Sequence, residues 1–363
     1  MSSVFGEKLR VSIFGESHGL GIGVVIDGFP AGLEIDLEKV KKEMKRRAPG
    51  RNKMSTPRKE KDEVIIQSGI FEGKTTGTPI CGLILNTNQN SKDYSYLKNV
   101  MRPSHADYSG KIKYKGYNDY RGGGSFSGRL TAPLVFAGAL AKQYLEKHEI
   151  FVGGHISSVG KVKDNSFNTL NETKKLFDEI SEKEIPVIND NISSEMEKEI
   201  SIARENKNSI GGKIECMITN VPAGIGDPFF DSVESRLSHM LFSIPAVKGV
   251  EFGLGFAISE IYGDEANDSM YIDNEGNIKT RTNNNGGILG GITNGMPIIF
   301  RVGIKPTPSI GMPQETVNLE TKENTILEVN GRHDPCIVQR AVPVVESAAA
   351  IVILDLLLSS GLK

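Results

Sequence analysis

Cysteine is scarce. Only Cys81, Cys216 and Cys336 occur, far apart and with no CxxC pair. That excludes a disulfide framework and a cysteine zinc site, and it fits a reducing compartment. Tryptophan is absent, which excludes nothing. Charge of one sign is missing overall: the net charge of −2 argues against a chain built to adhere to nucleic acid or to an anionic membrane. The N-terminus MSSVFGEKLRVS lacks a basic region followed by an apolar one, so it does not read as a secretory signal. The most apolar stretch, Ala348 to Leu358, is interrupted by Asp355 and reads as too short to span a bilayer. A cytoplasmic location is expected. HExxH, an i,i+4 histidine pair and EF-hand spacing are all missing, so no metal site is expected. Neither GxGxxG after a strand nor a P-loop occurs. There is no GxSxG elbow, and the adjacent Ser17 and His18 point in different directions, which disfavours a serine hydrolase.

What is present is an ordinary globular composition, with 38% hydrophobic and 24% charged residues in a chain of 363, enough for one large core or two modest ones. Glycine is enriched: its 40 residues make up about 11% of the chain, against a typical ~7%. Charge is unevenly spread. Lys41 to Lys59 holds nine basic residues and one acid, Glu43, so the remainder carries about ten net negative charges. That stretch has three readings. It is the solvated face of a helix; an RNA contact, though no aromatic residue is interleaved from Val40 to Lys61; or a mobile loop, 48–57, closing arginines over a phosphorylated substrate.

The chain repeats its own grammar. An apolar run, Ile22 to Ile26, leads into the turn Phe29-Pro30-Ala31-Gly32 and a helix capped by Asp36 and carrying Leu37, Val40 and Met44. Ile214 to Ile218 then leads into Val221-Pro222-Ala223-Gly224 and a helix opened by Asp231 and carrying Val233, Leu237 and Leu241. The two Pro-Ala-Gly turns lie 192 residues apart, which suggests a duplicated strand–turn–helix unit and a two-fold pseudosymmetric α+β body. Residues 161–207 are charged and poor in glycine, and read as a peripheral insertion. Within it Ser194 and Glu197 suggest a capping box for a helix burying Met196, Ile200 and Ala203. A helical pattern runs from Leu134 to Tyr144, and an apolar helix follows Pro343, with Val344, Val345, Ala348, Ile351 and Leu356 facing inward. No flexible linker divides the chain, so residues 1–363 are expected to form one domain.

Three segments offer glycine-bracketed backbone that a ligand can approach closely: Arg121 to Arg129, Asn283 to Gly291 and Lys305 to Ser309. Of six histidines, His18, His105 and His333 sit in loops bracketed by glycine, arginine or aspartate, the setting of a tuned acid or base. His148 and His239 fall within helical patterns and read as structural.

In these segments the sequence resembles the chorismate synthase family over essentially its whole length. The matching stretches are Gly15-Glu16-Ser17-His18-Gly19 through Pro30; Arg46 to Gly50; Arg102 to Asp107; Asp119 to Gly124; Ala246 to Glu251; Asn284 to Gly291; Lys305-Pro306-Thr307; and Gly331 to Cys336. The resemblance implies helices sandwiched between two outer antiparallel sheets with an internal pseudo-two-fold repeat, and a homotetramer. It implies a carbon–oxygen lyase that uses reduced FMN to eliminate phosphate from 5-enolpyruvylshikimate 3-phosphate, giving chorismate in the last common step toward the aromatic amino acids.

By the same resemblance His18 protonates the leaving phosphate and His105 lies near flavin N1. Asp334, assisted by Ser17 and Ser127, relays the proton reaching flavin N5. Arg47, Arg102 and Arg129 hold substrate anions, and Arg47 with Lys53 matches positions for NADPH. Flavin contacts fall on Ser125, Phe126, Ser127, Pro245, Ala246, Gly290, Lys305, Pro306, Thr307, Pro308, Ser309 and Arg332. The chain departs from many members after the triple glycine, where it reads Ser125-Phe126-Ser127-Gly128-Arg129-Leu130-Thr131 in place of Arg-Ser-Ser-Ala-Arg-Glu-Thr. Phe126 there either stacks on a flavin or packs inward. The competing readings are a flavin oxidoreductase, recognised by stoichiometric NADPH consumption, and a basic RNA contact, recognised by steep salt dependence.

Overall fold

Strand and helix alternate twice in the same order. A computed structural model of the chain describes residues 3–50, 62–87, 96–329 and 334–361; Lys53, Arg332 and His333 lie outside them. Strand Arg10–Gly15 pairs with Gly21–Asp27, which leads through the first Pro-Ala-Gly turn to helix Leu37–Arg47, strand Ile65–Ser68, a hairpin (Ile70–Phe71 with Lys74–Thr75), strand Ile80–Leu85 and helix Thr131–Lys147. The second pass runs Phe151–Val159, Gly212–Thr219, the second Pro-Ala-Gly turn, helix Val233–Ser243, strand Val247–Phe252, a hairpin (Ile288–Leu289 with Ile292–Thr293), strand Ile298–Ile304 and helix Val338–Ser360. Each pass makes one five-stranded antiparallel sheet. With Val4–Phe5 at its edge the first sheet is ordered 4–5, 10–15, 21–27, 80–85, 65–68; the second is ordered 247–252, 298–304, 212–219, 151–159, 162–163.

The turns match atom for atom. Thr75 Oγ1 donates to Pro30 O (2.7 Å) and accepts from Leu33 N–H (2.9 Å). Thr293 Oγ1 donates to Pro222 O (2.6 Å) and accepts from Ile225 N–H (2.9 Å). Both threonines stand in the pattern Thr-x-Gly-x-Pro-Ile, at 75–80 and 293–298. The expected duplication is therefore seen in topology and in turn chemistry.

The two long helices form the middle layer. Helix 131–147 lies against the first sheet, where Phe136 covers Gly82, and helix 338–360 lies against the second. They meet at Gly138, whose missing side chain admits Ser347: a Cβ there would come 2.1 Å from that of Ser347. Helix 338–360 starts five residues before Pro343, which sits within its opening turns. At 23 residues the helix is long and apolar enough to cross a membrane, unlike the shorter run expected, but its side chains are buried between the sheets.

Several local expectations are corrected by tertiary contacts. Asp36 does cap its helix, accepting from the N–H groups of Glu38 and Lys39. Ser232, not Asp231, caps helix 233–243. The helix expected at Ser194 begins at Asp190 under an Asn189 cap, and Ser194 Oγ donates to Asn191 O. The reason is Asp164, whose carboxylate receives the N–H groups of Ile188 and Asn189 and fixes where that helix starts. The 161–207 segment supplies helix Lys174–Glu182, which covers the outer face of the second sheet by seating Phe177 over Gly153. The basic helix 37–47 is not a uniformly solvated face. Lys41 is exposed, but Arg46 is buried against Glu43 and Glu346 in a charge cluster completed by Lys142, and Arg47 is buried as well.

Candidate active site

His18 lies in the tight link between the first two long strands of the first sheet, which Gly15 opens with φ +101°. Glu16 O accepts from Gly19 N–H at 3.0 Å, and Ser17 N–H reaches across to Gly124 O at 3.2 Å. Ser17 Oγ lies 3.3 Å from both His18 Nδ1 and Arg121 O. His105 sits in the loop before helix Asp107–Lys113, just after Ser104, which takes a left-handed φ of +57°. Its Nδ1 is 2.6 Å from Asp107 Oδ1 and 3.1 Å from Arg102 Nη2.

The triple glycine brings both rings together. A Cβ on Gly122 (φ +62°) would strike the His18 imidazole, and one on Gly123 (φ +117°) would lie 3.4 Å from His105 Nε2. Two consecutive left-handed glycines therefore form the surface on which both imidazoles rest. Gly124 is tied in as well: its Cβ would meet Asp119 O at 2.2 Å, and Asp119 chelates Arg121 through both carboxylate oxygens.

Cations line the site as well. Arg47 donates to Asp62 Oδ2 (2.6 Å), Thr131 Oγ1 (3.1 Å) and Gly128 O (3.0 Å). Burial, together with the nearby charges of Arg340 and Arg129, pulls its pKa down to about 10 despite the Asp62 carboxylate. Arg129 pairs with the other Asp62 oxygen and donates through Nε to Asn86 Oδ1 at 3.0 Å. Burial would raise the Asp62 pKa, yet the two guanidiniums outweigh it and hold the carboxyl below its ordinary value. Asp107 follows the same balance, its burial overcome by Arg102 and His105, so it stays ionised well below the usual carboxylate range. Lys305 is shifted down by burial and by neighbouring Lys248, and its Nζ donates to Ser104 O.

These groups surround a cleft of about 720 Å³. Of the residues expected at the site, it brings together Ser17, His18, Arg47, His105, Ser125, Phe126, Ser127, Arg129, Pro245, Ala246, Lys305, Thr307, Pro308, Ser309 and Asp334. Comparisons with known proteins point the same way. The sequence model of the chorismate synthase family matches residues 9–358. The chorismate synthase of Methanocaldococcus jannaschii is 48% identical, over 99% of this chain and 97% of its own. That of Dehalococcoides mccartyi is 46% identical, over 100% of this chain and 98% of its own. A solved crystal structure of chorismate synthase superposes with a TM-score of 0.78 at 30% identity, covering 98% of this chain and 93% of the other.

The chain belongs to the chorismate synthase family.

Membership makes it a carbon–oxygen lyase acting on phosphate, and the arginine-lined side of the cleft suits an anionic substrate. Not every residue expected at a chorismate synthase site lies on the cleft wall. Arg102 is buried behind it, holding Asp107, His105 and Ser309 Oγ, so it orders the wall and does not itself line the cavity. Pro306 is not among the lining residues. Gly290 is exposed in the hairpin 288–293, away from this cleft, because that hairpin packs on the start of helix 233–243, where Gly291 O accepts from Val233 N–H. Phe126 resolves inward, its ring covering Gly110 beside Tyr114 while its edge lines the cleft. Sequence reasoning missed Asp62, Asn86, Lys248 and Arg340. Arg340 donates to Asp334 Oδ2 (2.5 Å) and to Arg47 O (3.1 Å), and so ties the last helix to the first.

Proposed function

We propose that the cleft binds reduced FMN beside 5-enolpyruvylshikimate 3-phosphate and that the enzyme yields chorismate by 1,4-anti-elimination of phosphate. The observation that carries this is the meeting of His18 and His105 on Gly122 and Gly123, in a cavity that Arg47, Arg129 and Arg340 also line. The hydrogen that departs sits on an unactivated ring carbon, too weakly acidic for an ordinary side-chain base. Reduced FMN, when bound, supplies the electron density that loosens the allylic C–O bond.

The residues present fit such a group. Ala246 takes φ +77°, turning the Pro245–Val247 backbone along one wall, and Lys248 and Lys305 place cations beside it for a phosphate. Ser125 to Ser127 and Thr307 to Ser309 line the cleft within reach of the same ligand.

In this reading Arg47 and Arg129 hold the substrate's anionic groups, and His18, steadied through Nδ1 by Ser17, gives a proton to the leaving phosphate oxygen. His105, with Nδ1–H donating to Asp107, a carboxylate that Arg102 also binds, presents Nε2 and balances charge on the cofactor side. Asp334, oriented by Arg340, would relay onward the proton that reaches the bound flavin, with the help of Ser17 and Ser127. NADPH would serve as a reductant for the flavin, held by Arg47 and by Lys53, which lies outside the described residues. Arg46 and Arg47 point into the protein and so are withdrawn from any RNA contact along the described part of the basic stretch. Phe14 and Leu85, exposed on the outer face of the first sheet, suit coverage by another subunit of a homotetramer. A single domain, working in the cytoplasm, completes the proposal.

Anaerobic incubation of the purified protein with chemically reduced FMN and 5-enolpyruvylshikimate 3-phosphate tests it. Phosphate release matched by chorismate absorbance is expected; well-folded protein that releases neither sinks the proposal.

A further inference from the structure

Asn86 follows the last residue of strand Ile80–Leu85 and hydrogen-bonds both to the His18 link and to Arg129. Toward the His18 link, its backbone N–H donates to Leu20 O (3.1 Å), and its side-chain Nδ2 donates one hydrogen to Glu16 O (3.0 Å) and the other to Gly19 O (2.9 Å). Toward the cations, Oδ1 accepts from Arg129 Nε (3.0 Å). The orientation of the amide follows from its partners, because two carbonyls can only accept and a guanidinium can only donate. Glu16 and Gly19 bracket Ser17 and His18, so Asn86 grips the link on both sides of the imidazole. Arg129 goes on to Asp62, and Asp62 to Arg47. One unbroken polar chain thus runs from the His18 link through Asn86 to both arginines, joining segments far apart in sequence.

We propose that Asn86 is a positioning residue that fixes the separation between the His18 imidazole and the arginines that hold the substrate's anions. This rests on the reading of His18 as proton donor to the leaving phosphate. That step needs the donor and the phosphate-holding cations in one frame, since the oxygen to be protonated belongs to the held group. No other side chain of this reach does the same work. Aspartate keeps the acceptor for Arg129 but loses both donors and turns an oxygen toward two carbonyls. Serine and threonine are too short, and glutamine is one methylene too long. An error of about 1 Å in such a frame costs about 10²-fold in rate.

The test uses full-length Asn86→Ala and Asn86→Asp. In the anaerobic assay kcat is expected to fall about 10²-fold in both, with KM nearly unchanged. A second readout needs neither flavin nor turnover: imidazole ¹⁵N resonances followed through a pH titration, the His18 signals being assigned by their loss in His18→Gln. Asn86→Ala is expected to move the His18 resonances and their titration while leaving those of His148 and His239 in place. If Asn86 only closes a strand end, thermal stability falls but kcat per folded enzyme and the His18 titration stay as in the wild type, and the proposal is overturned. Asn86→Asp, which keeps the volume, decides the matter should the alanine variant not fold; wild-type kcat and an unmoved His18 titration in it overturn the proposal too. Silence of the wild type in the assay would count against the proposed reaction, whereas an unmoved His18 titration would count against Asn86 alone.

Discussion

A β-carbon on Gly122 would lie 2.1 Å from Cε1 and 2.4 Å from Nδ1 of His18. Those separations are far inside contact distance, and φ at Gly122 is +62°, where any other residue is strained. Gly122→Ala therefore has to push the imidazole off its seat. Given the proton-donor role proposed for His18, the expected outcome is a loss of about 10²-fold in kcat from its displacement, with the fold retained by circular dichroism. A variant with full kcat would show that the seat does not matter and that His18 does not transfer a proton.

Much of this could be read locally. The Pro-Ala-Gly turns, the Asp36 cap and most of the helices' apolar positions depend on neighbours a few residues away and appear where the sequence places them, whereas Leu37 is exposed and Ala203 is only partly covered. The pairing of Thr75 with the first turn and Thr293 with the second was also written in the repeated Thr-x-Gly-x-Pro-Ile, but a turn's side-chain bridge from 45 or 71 residues away has no local signature. The burial of Arg46 and Arg47 was hidden for the same reason. Their partners Glu346 and Asp62 come from another helix and from 15 residues further along the chain, and a charged residue with an unseen partner reads as solvated. At the site, the histidines and glycines were legible because glycine beside histidine is a backbone statement. Asn86, Asp62 and Arg340 were not, since each acts by linking elements that only the fold brings together.

The two threonine bridges carry a stability prediction. Thr75→Val and Thr293→Val each preserve shape and remove the acceptor for a backbone N–H in a buried turn. Each is expected to cost about 1–3 kcal/mol, the penalty for an unmet buried donor. Because the turns lie in different halves of the molecule, the double variant should lose the sum. Urea unfolding midpoints measure this, and a double variant no weaker than either single one would contradict it.

His155 gives stability a definite pH dependence. Its ring is buried on the second sheet with Nδ1 3.1 Å from Asp164 and Nε2 3.1 Å from Glu215. Burial disfavours the imidazolium, but hydrogen bonds and charge from the two carboxylates outweigh it and raise the pKa above 6.5. A raised folded-state value means a contribution fully present below about pH 6.5, lost as pH climbs through the folded-state value. Both carboxyls are shifted down despite burial, so their contribution stands above the ordinary carboxylate range and is lost on acidification. Stability from this cluster is thus greatest between those limits. His155→Gln should flatten the decline on the alkaline side, as read from thermal midpoints across pH; an unchanged slope would mean that the ring is neutral throughout.

Asp62 is a fully buried carboxylate shared by Arg47 and Arg129, on a backbone of φ +49°. Replacing it with asparagine keeps the shape and removes the charge that offsets two buried guanidiniums, one of them already depressed to about 10 by burial and by its cationic neighbours. Breaking one side of a buried ion pair costs about 3–5 kcal/mol, so Asp62→Asn should melt earlier in phosphate-free buffer. An anion bound between the arginines can restore that charge, and a ligand that binds only the folded state stabilises it by RT ln(1 + [L]/Kd). Inorganic phosphate should therefore raise the thermal midpoint of the variant more steeply than that of the wild type, with chloride at equal ionic strength failing to do so. Equal phosphate slopes for the two proteins would mean that Asp62 does not occupy the charge position that a bound anion takes.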